Sequence, residues 1–176
     1  MKKYKELLEL ARESIESQLT GKRLEVSEDI KNKYSKKQAC FVTLTINGEL
    51  RGCIGSLEAH QELWKDIVDN ARSAAFYDTR FLALTKEELN EIKIEISVLK
   101  KPVKLGVGER IFSKIDNKMG LILRKGFYSA TFLPQVWEQI PDKKGFLENL
   151  SIKAGLDKDV WKGAEIEFYR VESVEE

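Results

Sequence analysis

Apolar residues recur along this chain with two periods, and the places where the period changes divide it into elements. Between residues 2 and 19, Tyr4, Leu7, Leu8, Ala11, Ile15 and Leu19 fall at helical spacing among Lys, Glu and Arg. That predicts an amphipathic helix packed on the body, with Gly21 as its stop. Residues 22–39 are polar and poorly periodic, which predicts a loop. From Cys40 to Ile46 the period becomes two, rich in Val, Thr, Phe and Ile, as in a strand. Asn47-Gly48 suits a two-residue type I′ turn, and Glu49 to Ser56 is the return strand. An unbroken register pairs Val42 with Cys53, Leu44 with Arg51 and Cys40 with Gly55. Cys40, Val42, Leu44, Arg51 and Cys53 then share one side of the sheet.

Residues 60–76 return to helical spacing, with Leu63, Trp64, Ile67, Val68, Ala71, Ala74 and Ala75 on a broad apolar face. Asp78-Thr79-Arg80-Phe81 reads as a turn, and Thr85 with Glu88 as a capping box for a short helix through Asn90. Ile92, Ile94, Ile96 and Val98 alternate with Lys93, Glu95 and Ser97, a strand with one wet face that Lys100-Lys101-Pro102 ends. Gly106 and Gly108 mark a linker. Gly120 to Arg124, a Lys125-Gly126 turn and Phe127 to Leu133 make a second hairpin. Asp142 caps a helix to about Ala154 with Gly155 behind it, Asp157 caps one more turn through Trp161, and Ala164 to Val171 is a last strand. The acidic tail Glu172 to Glu176 is expected to fray. The order hairpin, helices, strand thus occurs twice, over 41–98 and 120–171. The expected fold is a mostly antiparallel α+β domain spanning 1–176. Its lobes cover roughly 22–105 and 106–171, with a ligand groove between them.

Composition narrows the classes. The 176 residues suffice for one domain burying about 70% of its unfolded surface. Lys and Arg number 30 against 29 Asp and Glu, a net charge of +1, which is a weak footprint for duplex nucleic acid. Two runs, Lys31 to Lys37 and Lys100 to Lys104, read either as solvated loops or as contacts to RNA or another single strand. No apolar run reaches the length of a membrane span, and Met1-Lys2-Lys3-Tyr4-Lys5-Glu6 is too charged for a signal peptide. Two cysteines are too few for a disulfide scaffold or a cysteine zinc site, which predicts a cytoplasmic protein with reduced thiols. No metal or cofactor fingerprint is present.

One stretch crowds a charge, a thiol and two glycines: Leu50-Arg51-Gly52-Cys53-Ile54-Gly55. Glycine within a strand marks a bulge or a close approach of backbone or ligand, so Gly52, Ile54 and Gly55 are candidate ligand contacts. Arg51 offers donors matched to carboxylate or phosphate, and a nearby cation lowers a cysteine pKa. The functional reading is an anion pocket with Cys53 as nucleophile. The structural reading makes Cys53 a small core residue and Arg51 half of an ion pair. His60, the single histidine, reads either as a partner to Cys53 in a dyad or as a surface residue at a helix start. Asp78 and Arg80 either line the same groove or close a local salt bridge. Trp137 and Trp161, with Phe127, Tyr128 and Phe132, read as core and cleft lining rather than as a stacking platform for bases.

The hexapeptide resembles the signature of the AMMECR-one domain family. Ala74-Ala75-Phe76 with Asp78, Arg80 and Phe81, then Ile96-Ser97-Val98-Leu99, Gly120-Leu121, Leu133-Pro134-Gln135-Val136 and Lys153-Ala154-Gly155-Leu156, are similar to further pieces of that family. Thr79 and Ala83 stand where many relatives carry proline, and the segment after Gln135 is short. The resemblance spans about residues 5–171. It implies a compact α+β fold with a cleft. It also implies company with Memo-like and radical SAM proteins, as the A component of the AmmeMemoRadiSam system. It brings no established reaction.

Overall fold

The computed structural model describes residues 3–176, so the expected helix start at Lys2 lies outside the described residues. The chain forms two compact units. One runs to Leu99 and is joined by Glu172–Glu176, and the other is Lys100–Val171. Each is built on a four-stranded sheet. In the first, β1 (Cys40–Ile46), β2 (Glu49–Gly55), β3 (Ile92–Leu99) and β8 (Val171–Glu175) lie in the order β2-β1-β3-β8. In the second, β4 (Val103–Val107), β5 (Gly120–Lys125), β6 (Tyr128–Phe132) and β7 (Glu165–Tyr169) lie in the order β4-β7-β5-β6. The pairs of β1 with β2 and β3, and of β7 with β4 and β5, are antiparallel, as is β5 with β6. This is the α+β class that the hydrophobic pattern predicts.

In each sheet the first strand of a hairpin is central, between its hairpin partner and the strand that follows the helices. The pattern missed the fourth strand of each. Residues 103–107, expected as linker, form β4, and the tail expected to fray forms β8. The final residue is tied down. The Glu176 amide donates to the Ile94 carbonyl at 3.2 Å, and its carboxylate accepts from Arg12 at 2.9 and 2.5 Å. An edge strand needs few apolar positions, and in β8 only Val174 is deeply buried, so composition alone reads as tail.

In the first unit α1 (Lys5–Thr20) and α3 (Leu63–Phe76) pack together and cover one sheet face. Leu7, Ala11 and Ile15 of α1 and Ile67 and Ala71 of α3 meet Val42, Leu44, Ile94 and Ile96 of the strands. Fully burying each large aliphatic side chain contributes about 1.5–3 kcal/mol. The segment expected to be loop contains a short helix, α2 (Glu28–Lys33), started by Ser27, whose hydroxyl accepts the Ile30 amide at 3.3 Å. It buries no side chain fully, so hydrophobic periodicity has nothing to register.

The second unit centres on α6 (Lys143–Lys153), flanked by α4 (Gly108–Ile111) and α5 (Val136–Gln139). Asp142 caps α6 as predicted, accepting the Gly145 amide at 2.7 Å. Trp137 stacks on Phe146 with ring centroids 3.7 Å apart, and its indole N–H donates to the Met119 carbonyl at 2.8 Å. Both Trp137 and Trp161 are core residues and Phe132 packs against their cluster, whereas Phe127 and Tyr128, expected in the same lining, are exposed at the turn. The second hairpin turns at Gly126-Phe127, one residue later than predicted. Gly126 takes φ 60° while Phe127 stays at negative φ, the demand of a type II′ turn.

Candidate functional site

The first hairpin closes at Asn47-Gly48 with φ of 52° and 82°, as a type I′ turn requires. Ile46 pairs with Glu49 and Thr45 with Leu50, in the expected register. There the ladder slips: Leu44 pairs with Gly52, Thr43 with Cys53, Val42 with Ile54 and Phe41 with Gly55. Arg51 is the extra residue of a β-bulge. Because side chains alternate with period two, one inserted residue moves everything beyond it to the opposite face. The expected grouping of Cys40, Val42, Leu44, Arg51 and Cys53 is therefore corrected. Gly52 and Ile54 lie on the core face with Cys40, Val42 and Leu44, while Cys53 lies on the other face beside Thr43.

The glycines are explained by the protein's own backbone. A Cβ at Gly52 would stand 2.1 Å from the Ala74 carbonyl oxygen of α3, and one at Gly55 would stand 2.3 Å from the Cys40 carbonyl oxygen. No real side chain tolerates such distances. The space expected to admit a ligand near Gly52 and Gly55 is where α3 and β1 approach.

The charges are likewise engaged. Arg51 donates from Nε and Nη2 to the two carboxylate oxygens of Glu88 at 2.8 and 3.0 Å, and from Nη2 to the Leu82 carbonyl at 2.9 Å. Its Nη1 is buried with no hydrogen-bond partner. Glu88 also accepts the Thr85 amide at 2.9 Å, so the predicted capping box forms and its acid serves two partners. The Arg51 hydrogen bond holds the Glu88 carboxyl below the usual carboxylate range. Asp78 is buried beside the thiol strand. It takes Arg80 Nε and Nη2 at 3.0 and 2.7 Å and the Cys53 amide at 3.0 Å. Arg80 Nη2 reaches the Cys53 carbonyl at 3.4 Å. The Arg80 hydrogen bond, with the Cys53 amide behind it, keeps the Asp78 carboxyl far below the carboxylate range.

Cys53 Sγ lies 3.2 Å from Thr43 Oγ1. Burial pushes this thiol up from its ordinary value, and the opposing pull of Thr43 and of Arg80 does not restore it. In the functional reading Arg51 lowers this pKa; in the structure Arg51 is turned to Glu88, and burial pushes the thiol up instead. His60 is exposed, with Nε2 4.0 Å from a Glu58 oxygen, and no hydrogen bond joins it to Cys53. Two lysines of the first basic run carry acidic partners, Lys31 with Glu28 and Lys33 with Glu6. Sequence reasoning missed a buried cluster around the other thiol, where Asp66 Oδ2 accepts from the Cys40 amide and thiol at 3.1 Å and from Asn70 at 3.0 Å. The signal was available: Asp66 and Asn70 are four apart, on one helix face.

Among the described residues no group of three or more His, Cys, Asp or Glu side chains is placed to hold a metal ion. No helix of the described chain is long and apolar enough to cross a membrane. An AMMECR1 family profile matches residues 8–175. The chain belongs to the AMMECR1 family. Protein NEQ441 of Nanoarchaeum equitans is 40% identical over 168 residues, which is 93% of each chain. A protein of Aquifex aeolicus is 38% identical over 174 residues, covering 94% of this chain and 87% of its own. The crystal structure of uncharacterized protein PH0010 from Pyrococcus horikoshii matches with a TM-score of 0.88 at 35% identity, over 97% of this chain and 89% of that one. In this AMMECR1 domain, the signature strand Leu50–Gly55 carries the bulge, and the segment Asp78–Glu88 is bound along it.

Proposed function

We propose that this AMMECR1 domain is a binding module without chemistry of its own, docking a partner protein through the segment held on β2. The observation that carries the reading is the commitment of the signature's polar groups. Arg51 is spent on Glu88 and the Leu82 carbonyl, and the Cys53 amide and carbonyl on Asp78 and Arg80. What they hold outward is apolar: Leu82 is 88% exposed and Leu50 43%. An ordered loop displaying exposed aliphatic side chains suits a protein surface better than a reacting small molecule. Memo-like and radical SAM proteins are the partners that the family points to. Co-purification from the native host, with cross-linking to retain weak complexes, tests this. Recovery of such a partner with the wild type and its loss with Leu50→Asp/Leu82→Asp is the expected result. Finding no partner, or equal recovery with the double variant, would sink it.

A second reading, a small anionic ligand, is favoured by the partnerless Nη1 of Arg51. Its test is thermal stabilisation by inorganic phosphate or small carboxylates. Arg51→Ala should abolish the shift, and an equal shift in wild type and variant would exclude the anion role.

A further inference from the structure

The two sheets end in four edge strands, and three are guarded. β2 is bulged at Arg51, and the outward amide and carbonyl of Cys53 are taken by Asp78 and Arg80. β8 carries Glu172 and Glu175, and β4 carries Lys104 and an irregular register between Lys104 and Gly106. Charges, bulges and covering loops are the usual means of stopping one edge from pairing with another chain. β6 lacks the first two. Its sequence, Tyr128-Ser129-Ala130-Thr131-Phe132, has no charge, no proline and no glycine, and its pairing with β5 is unbroken from Lys125↔Tyr128 to Leu121↔Phe132.

The two-residue turn fixes which backbone groups point outward. Lys125 and Tyr128 close the hairpin as a hydrogen-bonded pair, so Tyr128, Ala130 and Phe132 bond to β5. The amides and carbonyls of Ser129 and Thr131 then face away from the sheet. Of these four groups, the Thr131 carbonyl has a partner, Lys153 Nζ at 2.8 Å, and a carbonyl accepts a second bond. At the tip, Phe127 is 106% exposed and Tyr128 54%. A large aromatic residue left wholly in water at the end of an open edge is the informative kind of exposure.

We propose that β6 pairs antiparallel with β6 of a second copy of this chain. The two-fold passes through Ala130. Ser129 then exchanges both backbone bonds with Thr131 of the second copy, Tyr128 lies opposite Phe132, and Phe127 covers Leu133. The strand itself contains no charge, and the contact is self-complementary and closed; Lys153, which donates to the Thr131 carbonyl, comes to the edge from both copies. Two five-residue strands bury less than the roughly 1,600 Å² of a standard interface, so the dimer is reversible and depends on concentration. This edge belongs to the second unit and is independent of the docking segment on β2.

Sedimentation velocity across a concentration series tests it, on wild type and on Ser129→Pro. Proline there removes an outward amide while leaving the ladder to β5 intact, so circular dichroism and the thermal midpoint should be retained. The expected result is a monomer–dimer equilibrium for wild type, weakened about thirtyfold or more in the variant, the worth of two lost backbone donors. Hydrogen exchange at the Ser129 and Thr131 amides of wild type should slow as concentration rises, which keeps the test valid if the proline variant fails to fold. A wild type that stays monomeric at every concentration, as when the edge takes an extended segment of another protein instead, overturns the proposal. So does a folded Ser129→Pro that dimerises like wild type, or exchange at those amides that ignores concentration.

Discussion

The hairpin of β1 and β2 and the hairpin of β5 and β6 both close with two-residue turns and both place their first strand at the middle of a four-stranded sheet. They part company at Arg51. The first hairpin carries this one extra residue, and its outer strand becomes a hub: a helix carbonyl sits against Gly52, an aspartate against the Cys53 amide, and a glutamate against the arginine itself. The second hairpin is regular, and of the outward backbone groups of its outer strand only the Thr131 carbonyl is held, by Lys153. A single inserted residue separates a strand that organises its surroundings from one that offers its edge.

The contrast is sharpest in glycine. Gly52→Ala forces a methyl onto the Ala74 carbonyl, where a Cβ would lie at 2.1 Å, and should cost about 3 kcal/mol or prevent folding. Gly126→Ala meets open space and only the strain of φ 60°, about 1 kcal/mol. Urea midpoints of the two variants should differ in that order, and equal losses would mean that α3 yields freely at Ala74.

Asp78→Ala comes next. It leaves the Cys53 amide without its acceptor and Arg80 without its carboxylate, an expected loss of about 2 kcal/mol by chemical denaturation. On β6 the counterpart is Thr131, whose hydroxyl is shared between the Leu121 carbonyl and the Tyr169 hydroxyl. Acidification probes the same difference. The carboxyls of Asp78 and Glu88 are held below their unfolded values. The stability they contribute is therefore complete above the ordinary carboxylate range near ~4, and is lost as pH falls through the lower folded values. Asp78→Asn/Glu88→Gln should flatten the acid limb of stability against pH. The flattening should be partial, because Arg170 holds the carboxyl of Asp116 down in the second unit. An acid limb identical to wild type would show that these pairs do no thermodynamic work.

The two thiols should also separate. Cys53 should alkylate with a midpoint above the ordinary ~8.5, since burial raises it, and Cys40, wholly buried, should react only on unfolding. Mass spectrometry of a pH series reads both, and a Cys53 midpoint below that value would restore the nucleophile. The smallest effect belongs to the second hairpin: Phe127→Ala should change monomer stability by less than about 0.5 kcal/mol, because its ring is entirely in solvent.

Much of this was legible along the chain. Val42 and Leu44 in alternation, Asn47-Gly48, the stripe of α3, the Thr85–Glu88 box and the Asp142 cap each specify local structure through neighbours a few residues away, and all appear where that chemistry puts them. The hexapeptide was recognisable as the chain's unusual stretch, and its glycines did mark a bulge and a close approach. Which partner approached was not legible. Ala74, Asp78 and Glu88 are remote in sequence, and nothing in Arg51-Gly52-Cys53 says that Arg51 is the residue left over. β4 and β8 were illegible for a related reason: edge strands need only one covered side, so their composition resembles linker and tail.

The sequence by itself determined the central strands and the long helices, the α+β class, the repeated order of hairpin, helices and strand, and the family signature, because these follow from period, turn chemistry and composition. Tertiary structure alone decided the face on which Cys53 lies, the partner of Arg51 and the edge left open at β6. Those outcomes depend on how a helix, a loop and a strand far apart in the chain compete for the same backbone groups.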